Sequence, residues 1–229
     1  MTAPSNRAQY NVAAAGSLPV RIAAFQRKRM LAAFVAAFNI DGRHTILDVG
    51  ATSDRDYDHS NYLVAWHPHK ARITTVGLDD ARFLETVYPG VKFLQADGIH
   101  LPFADGAFDF VHASAVIEHV GNSERQTRFL KELSRVARRG LFITTPNRWF
   151  PVEFHTVLPL IHWLPRGVFR WLLRRIGKSF FADENNLNLL TARDLSGLAA
   201  AAGLENFTVD TVALGGWPTN LLLIARKPA

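Results

Sequence analysis

The sequence predicts a doubly wound α/β domain: a seven-stranded, mostly parallel sheet ending in an antiparallel hairpin. Three observations predict it. Short apolar, β-branched runs at 45–49, 72–78, 91–94, 108–111 and 141–145 alternate with amphipathic or capped segments, the pattern of parallel strands joined by helices. Acids stand in or just after the first three runs, Asp48, Asp79 and Asp97, where a parallel sheet opens a ligand crevice. The last two runs, 207–212 and 220–225, are joined through Gly215-Gly216-Trp217-Pro218, a hairpin connection rather than a crossover.

Residues 1–16 are polar, alanine-rich and without period, so a frayed tail is expected ahead of a single domain over 17–229. From Leu18 to Ile40, apolar residues at Ile22, Phe25, Met30, Phe34, Val35 and Phe38 follow helical spacing, and Asp41-Gly42 is the expected stop. The run MLAAFVAAF after Arg27-Lys28-Arg29 resembles part of a signal peptide, but it begins far from Met1 and is read as a helix of the mature protein. TILDV at 45–49 is a buried strand closed by Gly50. A short helix is expected at 60–66 and another at 81–88, the latter stopped by Pro89-Gly90.

Ser123 with Gln126 is a capping-box pattern opening a helix with Phe129, Leu130, Leu133, Val136 and Ala137 on one face. Gly140 stands where a left-handed helix cap belongs. Thr191 caps a last helix, which Gly203 stops.

Composition narrows the functions. The absence of cysteine excludes disulfides, thiolate-bound zinc and a cysteine nucleophile, and fits a cytoplasmic setting. No apolar run approaches the ~20 residues of a membrane span. The formal net charge is +6. Residues 148–178 carry Arg148, Arg166, Arg170, Arg174, Arg175 and Lys178 against Glu153 alone, a local excess of +5. A basic balance attracts anionic partners without choosing among them.

The three acids and Gly50 form the chemical constellation. A glycine at the first turn permits close backbone approach. An acid after the second strand suits the two hydroxyls of a ribose, and one after the third suits an adenine amine. One such acid alone is more often a turn residue; three on successive strands favour a ligand. His67 and His69 fit no helical ligand pair, so a surface turn is expected and no metal set is read from the sequence.

The order ILDVG, VGLDD, QADGIHLPF, FDFVHASAVIEHV, a capped helix and LFITTPN resembles the class I S-adenosylmethionine-dependent methyltransferases, the small bacterial UbiE or type-11 kind in particular. The resemblance covers about 45–147, and the terminal hairpin also fits. It implies a Rossmann-like methyltransferase fold with S-adenosyl-L-methionine as cofactor. By residue, it implies that Gly50 and Thr52 line the methionine part and that Asp48 lies near the cofactor's amino group. It likewise implies Asp79 and Asp80 at the ribose, Asp97, Gly98 and Ile99 around the adenine, and Ser114 facing the sulfonium.

One departure stands out: the family's glycine-rich turn reads Gly50-Ala51-Thr52-Ser53-Asp54 here, so the hydroxyls of Thr52 and Ser53 are the expected donors in place of backbone amides. Glu118, His119, His155 and Tyr57 are the candidate proton acceptors, with His119 and His155 named as catalytic.

The insert 148–190 is basic, aromatic and Pro-interrupted, and is expected to form a helical lid. Its TPNRWFP…FH segment is similar to segments in methyltransferases of cell-surface and glycoconjugate pathways. A small or lipid-linked acceptor, with peripheral contact to the inner membrane surface through 150–181, follows as an expectation.

Three other readings compete. A methyltransferase-fold binding module without catalysis would explain the glycine-poor turn. An RNA methyltransferase would explain the charge, although Ala113-Ser114-Ala115-Val116 replaces the Asp/Asn-Pro-Pro-aromatic motif of enzymes that modify base amines; that argues against this subclass and makes nucleic acid the less favoured partner, with an RNA ribose or ring-carbon enzyme left open. A dinucleotide oxidoreductase would want G-x-G-x-x-G after the first strand, and that motif is missing.

Overall fold

A computed structural model describes residues 17–55, 57 and 59–228; the tail expected at 1–16 lies outside them. Helix α1 (Leu18–Phe38) precedes β1 (Ile46–Val49), α2 (Tyr62–Trp66), β2 (Ile73–Gly77), α3 (Phe83–Val87), β3 (Lys92–Gln95) and β4 (Phe108–Ser114). Then follow α4 (Ser123–Val136), β5 (Ala137–Pro146), α5 (Arg166–Arg175), α6 (Ala192–Ala201), β6 (Phe207–Leu214) and β7 (Trp217–Arg226). The seven strands lie in the order β3-β2-β1-β4-β5-β7-β6. β1 pairs in parallel with both β2 and β4, whereas β7 runs antiparallel between β5 and β6.

The two-residue period of the strands divides the core into two layers. Leu47, Val49, Val111, Ala113, Leu141 and Ile143 face α4 and α6. Ile46, Phe110, Phe142 and Leu222 face the other way, against Met30 and Phe34 of α1 and Tyr62 and Leu63 of α2. On this second face the apolar register stops toward the strand C-termini, where Asp48 sits opposite His112 and Ser114 opposite Thr144.

Several local expectations change. Asn39, at φ +50°, ends α1 before Asp41-Gly42 is reached. The cap of α4 is Asn122, whose side chain accepts from the Arg125 amide at 3.0 Å; Ser123 is already helical. Gly140 is not a helix cap. It lies inside β5, opposite Phe110 and Arg226, and a Cβ there would stand 2.6 Å from the Ala225 carbonyl oxygen and 2.7 Å from the Phe38 ring. Close packing, not a left-handed turn, demands glycine at that position. His67 is buried rather than part of a surface turn, and its Nδ1 accepts from the His69 amide at 3.2 Å. The cap of α6 is as expected: Thr191 and Asp194 bond each other's backbone amides.

The insert builds its own small core from Phe169, Leu173, Ala182, Leu187 and Leu189. It is tied to the sheet by a bridge between Asn147 and Leu190.

Candidate functional site

The C-terminal ends of β1 to β4 place Gly50, Asp79, Asp97 and Ser114 along one edge of the sheet, where parallel strands open a crevice. The turn after β1 is held closed. Gly50 N and Ala51 N both donate to the Val76 carbonyl at 2.8 Å. Gly50 has φ +107°, and a Cβ there would stand 2.1 Å from Cγ2 of Val116. A Cβ at Gly77 would meet the Ala51 carbonyl oxygen at 2.2 Å, so β2 contributes a small residue against a turn that has only one glycine.

The turn is braced from within. Thr52 Oγ1 accepts from the Asp54 amide at 3.0 Å. Asn61 clamps Thr52 from both sides, its Oδ1 accepting from Thr52 N and its Nδ2 donating to Thr52 O, each at 3.0 Å. The Asp54 carboxylate accepts from Ser60 Oγ at 2.5 Å and acts on the nearby Arg27 guanidinium. Asn61 carried no motif that sequence reasoning could find.

The other expected cofactor contacts fall as follows. Asp79 is part-buried, and exposed Leu78 beside it leaves apolar surface at the mouth. Asp80 is ion-paired with Arg82 at 2.7 Å. Asp97 is exposed and its Oδ1 accepts from the Ile99 amide at 3.1 Å. Ile99 lies in the core layer, and Gly98 presses on Phe129 and Val49, where a Cβ would come within 2.7 Å of the Phe129 ring. Ser114 shares a 2.8 Å hydrogen bond with Thr144. Next to it, Ala115 takes φ +54°, a conformation costly for a residue with a Cβ and common where a loop is held for function.

Asp48 is buried and turned under the sheet. Its Oδ1 accepts from Nδ1 of His112 at 2.7 Å, which leaves His112 Nε2 to accept from the Tyr62 hydroxyl at 2.8 Å. Burial pushes the Tyr62 hydroxyl well above its ordinary pKa, so it stays protonated and donates. This Asp48–His112–Tyr62 chain was illegible in the sequence, because His112 reads as an interruption of an apolar strand.

The loop after β4 forms a second polar group with the insert. Asn188 of the insert donates its amide to the Glu118 carbonyl at 2.7 Å and its side chain to the Gly121 carbonyl at 3.2 Å. His119 and His155, 36 positions apart, face each other with Nε2 atoms 3.0 Å apart. Nδ1 of His119 lies 2.6 Å from the Asn186 carbonyl oxygen and must carry the proton, since a carbonyl only accepts. Nδ1 of His155 lies 2.7 Å from Oε1 of Glu153, which also accepts the His155 amide at 2.9 Å.

Burial and the charge of His155 push His119 down to about 4. Burial opposes charge on His155 too, but the Glu153 carboxylate outweighs it and raises its pKa. Burial would raise Glu153 as well, yet its bonds to His155 and Thr156 hold it down to about 2. Glu118 is fully buried. One oxygen accepts from Thr145 Oγ1 at 2.9 Å, the other has no hydrogen-bond partner, and burial raises its pKa to about 7. Tyr57 lies outside this group, edge-on to His59.

The geometry can be set beside known proteins. A profile described as a methyltransferase domain matches residues 48–144, the span from β1 through most of β5. By this match residues 48–144 are a methyltransferase domain, and the fold is that of S-adenosylmethionine-dependent methyltransferases of known structure. The chain is 41% identical over 63 residues to a probable S-adenosylmethionine-dependent methyltransferase of Mycobacterium tuberculosis, which is 27% of this chain and 22% of that protein. The match therefore spans about a fifth of the curated relative.

Among solved structures, the chain is similar to a Thermotoga maritima methyltransferase described as a possible histamine N-methyltransferase (TM-score 0.59, 18% identity, 92% of each chain covered). It is also similar to magnesium protoporphyrin IX methyltransferase from Synechocystis with bound SAH (TM-score 0.57, 15% identity, 97% of this chain and 92% of that one covered). These likenesses establish the fold. The C-terminal edge of the sheet carries groups that suit an S-adenosylmethionine cofactor: Asp79 and Asp97 after β2 and β3 for hydroxyl and amine donors, and a glycine at the turn after β1, while Asp48 is already taken by His112.

Proposed function

We propose that this chain transfers a methyl group from S-adenosylmethionine to an apolar or lipid-linked acceptor, with the insert 148–190 as the lid that selects it. The supporting observation is that Gly50, Asp79, Asp97 and the Ser114–Ala115 strand end all stand at the C-terminal edge of the parallel strands, with the insert packed onto the adjoining loop through Asn188 and His155. When bound, the cofactor supplies an electrophilic methyl on sulfur. The protein's part is to align the acceptor and keep water away.

Asp79 accepts from the ribose hydroxyls and Asp97 from the adenine amine. Gly50 allows the chain to approach the methionine portion. The buried Asp48–His112–Tyr62 chain fixes the floor beneath Ser114 and the turn. His119 and His155 are assigned to the acceptor side, because the lid brings one of them and the post-β4 loop the other.

The apolar acceptor is supported by the insert's surface. Val168 and Trp171 are exposed on one side of α5, with exposed Leu164 just ahead of the helix, while Phe169 and Leu173 are buried. Trp149, Trp163 and Trp217 pack together beside it. Arg174 and Arg175 extend the same helix with exposed charge, the composition of a surface that lies on anionic lipid. Such contact would be peripheral; no helix among the described residues is long and apolar enough to cross a membrane.

Calorimetry with S-adenosylhomocysteine tests the core of the proposal. Micromolar binding is expected. No binding at millimolar ligand would replace it with the noncatalytic reading, which the closed turn at Gly50 and Ala51 favours.

A further inference from the structure

The His119–His155 contact poses a problem of proton placement. Both Nδ1 atoms are committed as donors, to the Asn186 carbonyl and to the Glu153 carboxylate, so both Nε2 atoms carry lone pairs in the neutral rings. Two lone pairs 3.0 Å apart repel unless something positive lies between them. Glu118 adds a third donor: one nitrogen from each histidine and a carboxylate oxygen of Glu118 all lie within 4.8 Å of one another. Glu118 is fully buried, and one of its oxygens has no hydrogen-bond partner, an arrangement that calls for a ligand.

We propose that Glu118, His119 and His155 form a binding site for a first-row divalent transition-metal ion. The donor set, two imidazole nitrogens and one carboxylate, suits zinc, cobalt, iron or manganese better than magnesium or calcium. The spacing carries geometric information. With metal–nitrogen bonds of about 2.1 Å, a nitrogen separation of 3.0 Å corresponds to an angle near 90°. That is a cis pair of an octahedral centre; a tetrahedral pair would stand about 3.4 Å apart at the same bond length.

The outer contacts match those of metal-bound histidines, whose second nitrogen donates to a carboxylate or carbonyl. Glu153 and the Asn186 carbonyl fill these roles. Two buried carboxylates, Glu118 and Glu153, would balance the charge of a dication. Three protein ligands leave positions for water or for an oxygen of the acceptor. The site stands apart from the methyl-transfer proposal, since the metal can be measured with neither cofactor nor acceptor present.

The test is titration of the metal-stripped full chain with cobalt(II), read by visible absorption and calorimetry, and with zinc(II), read by the ring-nitrogen NMR signals of the histidines. One equivalent should bind in the micromolar range or tighter. Zinc should shift the Nε2 signals of two histidines while their Nδ1 atoms stay protonated. His119→Ala and His155→Ala should each weaken binding by more than about 100-fold, and Glu118→Gln and Glu153→Gln by about 10–100-fold. His100→Ala, on an exposed loop, should bind as wild type. The wild-type NMR readout stands even if a variant does not fold. No stoichiometric binding at about 1 mM metal, or no Nε2 shift on saturation, would overturn the site and leave a proton shared between the two rings.

Discussion

Replacing Gly50 by alanine should both strain the turn and drive a methyl group into Val116, and the two effects can be separated. At φ +107° a side chain costs about 1–3 kcal/mol. The added Cβ would stand 2.1 Å from Val116 Cγ2, so the neighbour must move, and overpacking of this kind costs about 1–3 kcal/mol. The single variant should therefore lose about 2–6 kcal/mol. Val116→Ala alone removes two methyl groups at about 0.8 kcal/mol each, near 1.6 kcal/mol if fully buried. In the double variant the collision is gone, so the combined loss should fall short of the sum by about 1–3 kcal/mol.

Urea unfolding at 25 °C of wild type, both singles and the double closes this cycle. Equal slopes against denaturant would show that only stability has changed. S-adenosylhomocysteine calorimetry on the same four proteins adds function: the double variant should recover fold without full affinity, because its turn still carries the Cβ. Strict additivity of the two losses, or a Gly50→Ala protein within about 0.5 kcal/mol of wild type, would refute the contact and the strained turn together.

Other outcomes follow from the same geometry. Asp79→Ala and Asp97→Ala should each cost about 1–3 kcal/mol of S-adenosylhomocysteine affinity by calorimetry, and undiminished affinity in both would remove them from the cofactor site. Asn61→Ala removes both hydrogen bonds that clamp Thr52 and should lower stability by about 1–3 kcal/mol in urea unfolding, with no change ruling out the clamp. His67 is pushed down to about 4 by burial and by the charges of His69 and Lys70, so its neutral ring stabilises the fold fully above about pH 6.5 and loses that contribution as pH falls through 4. The advantage of wild type over His67→Phe should shrink by up to about 3 kcal/mol across that window, and a constant difference would contradict it. For membrane contact, Arg174→Glu/Arg175→Glu is the informative pair, because Arg170 is already ion-paired with Glu184 at 3.1 Å; flotation with anionic vesicles should be lost in the double variant, and equal flotation of both proteins would count against the lipid surface.

The sheet could be read from the sequence because each strand carries its own signal. Residues 45–49 and 141–145 are continuous apolar runs, as strands buried on both faces must be, and the Gly215-Gly216 turn permits only a hairpin. The placing of Gly50, Asp79 and Asp97 at the C-terminal edge of the sheet was legible for the same reason: they stand at strand ends, and strand ends are local. What lies across the chain was not. Gly140 looked like a helix cap until Phe38 and Ala225 were seen to press on it from 102 positions before and 85 after. Asn61 holds Thr52, and Tyr62 with His112 holds Asp48, through contacts whose partners share no spacing rule.

The sequence could name His119 and His155 one at a time and expected no metal. Only the packing of the insert on the post-β4 loop, through Asn186 and Asn188, turns their Nε2 atoms toward each other beside a buried carboxylate. Fold class was thus determined by periodicity and turn chemistry within short stretches. The relation between the two histidines was decided by tertiary structure, because hydrogen-bond direction depends on where the far partner's atoms stand.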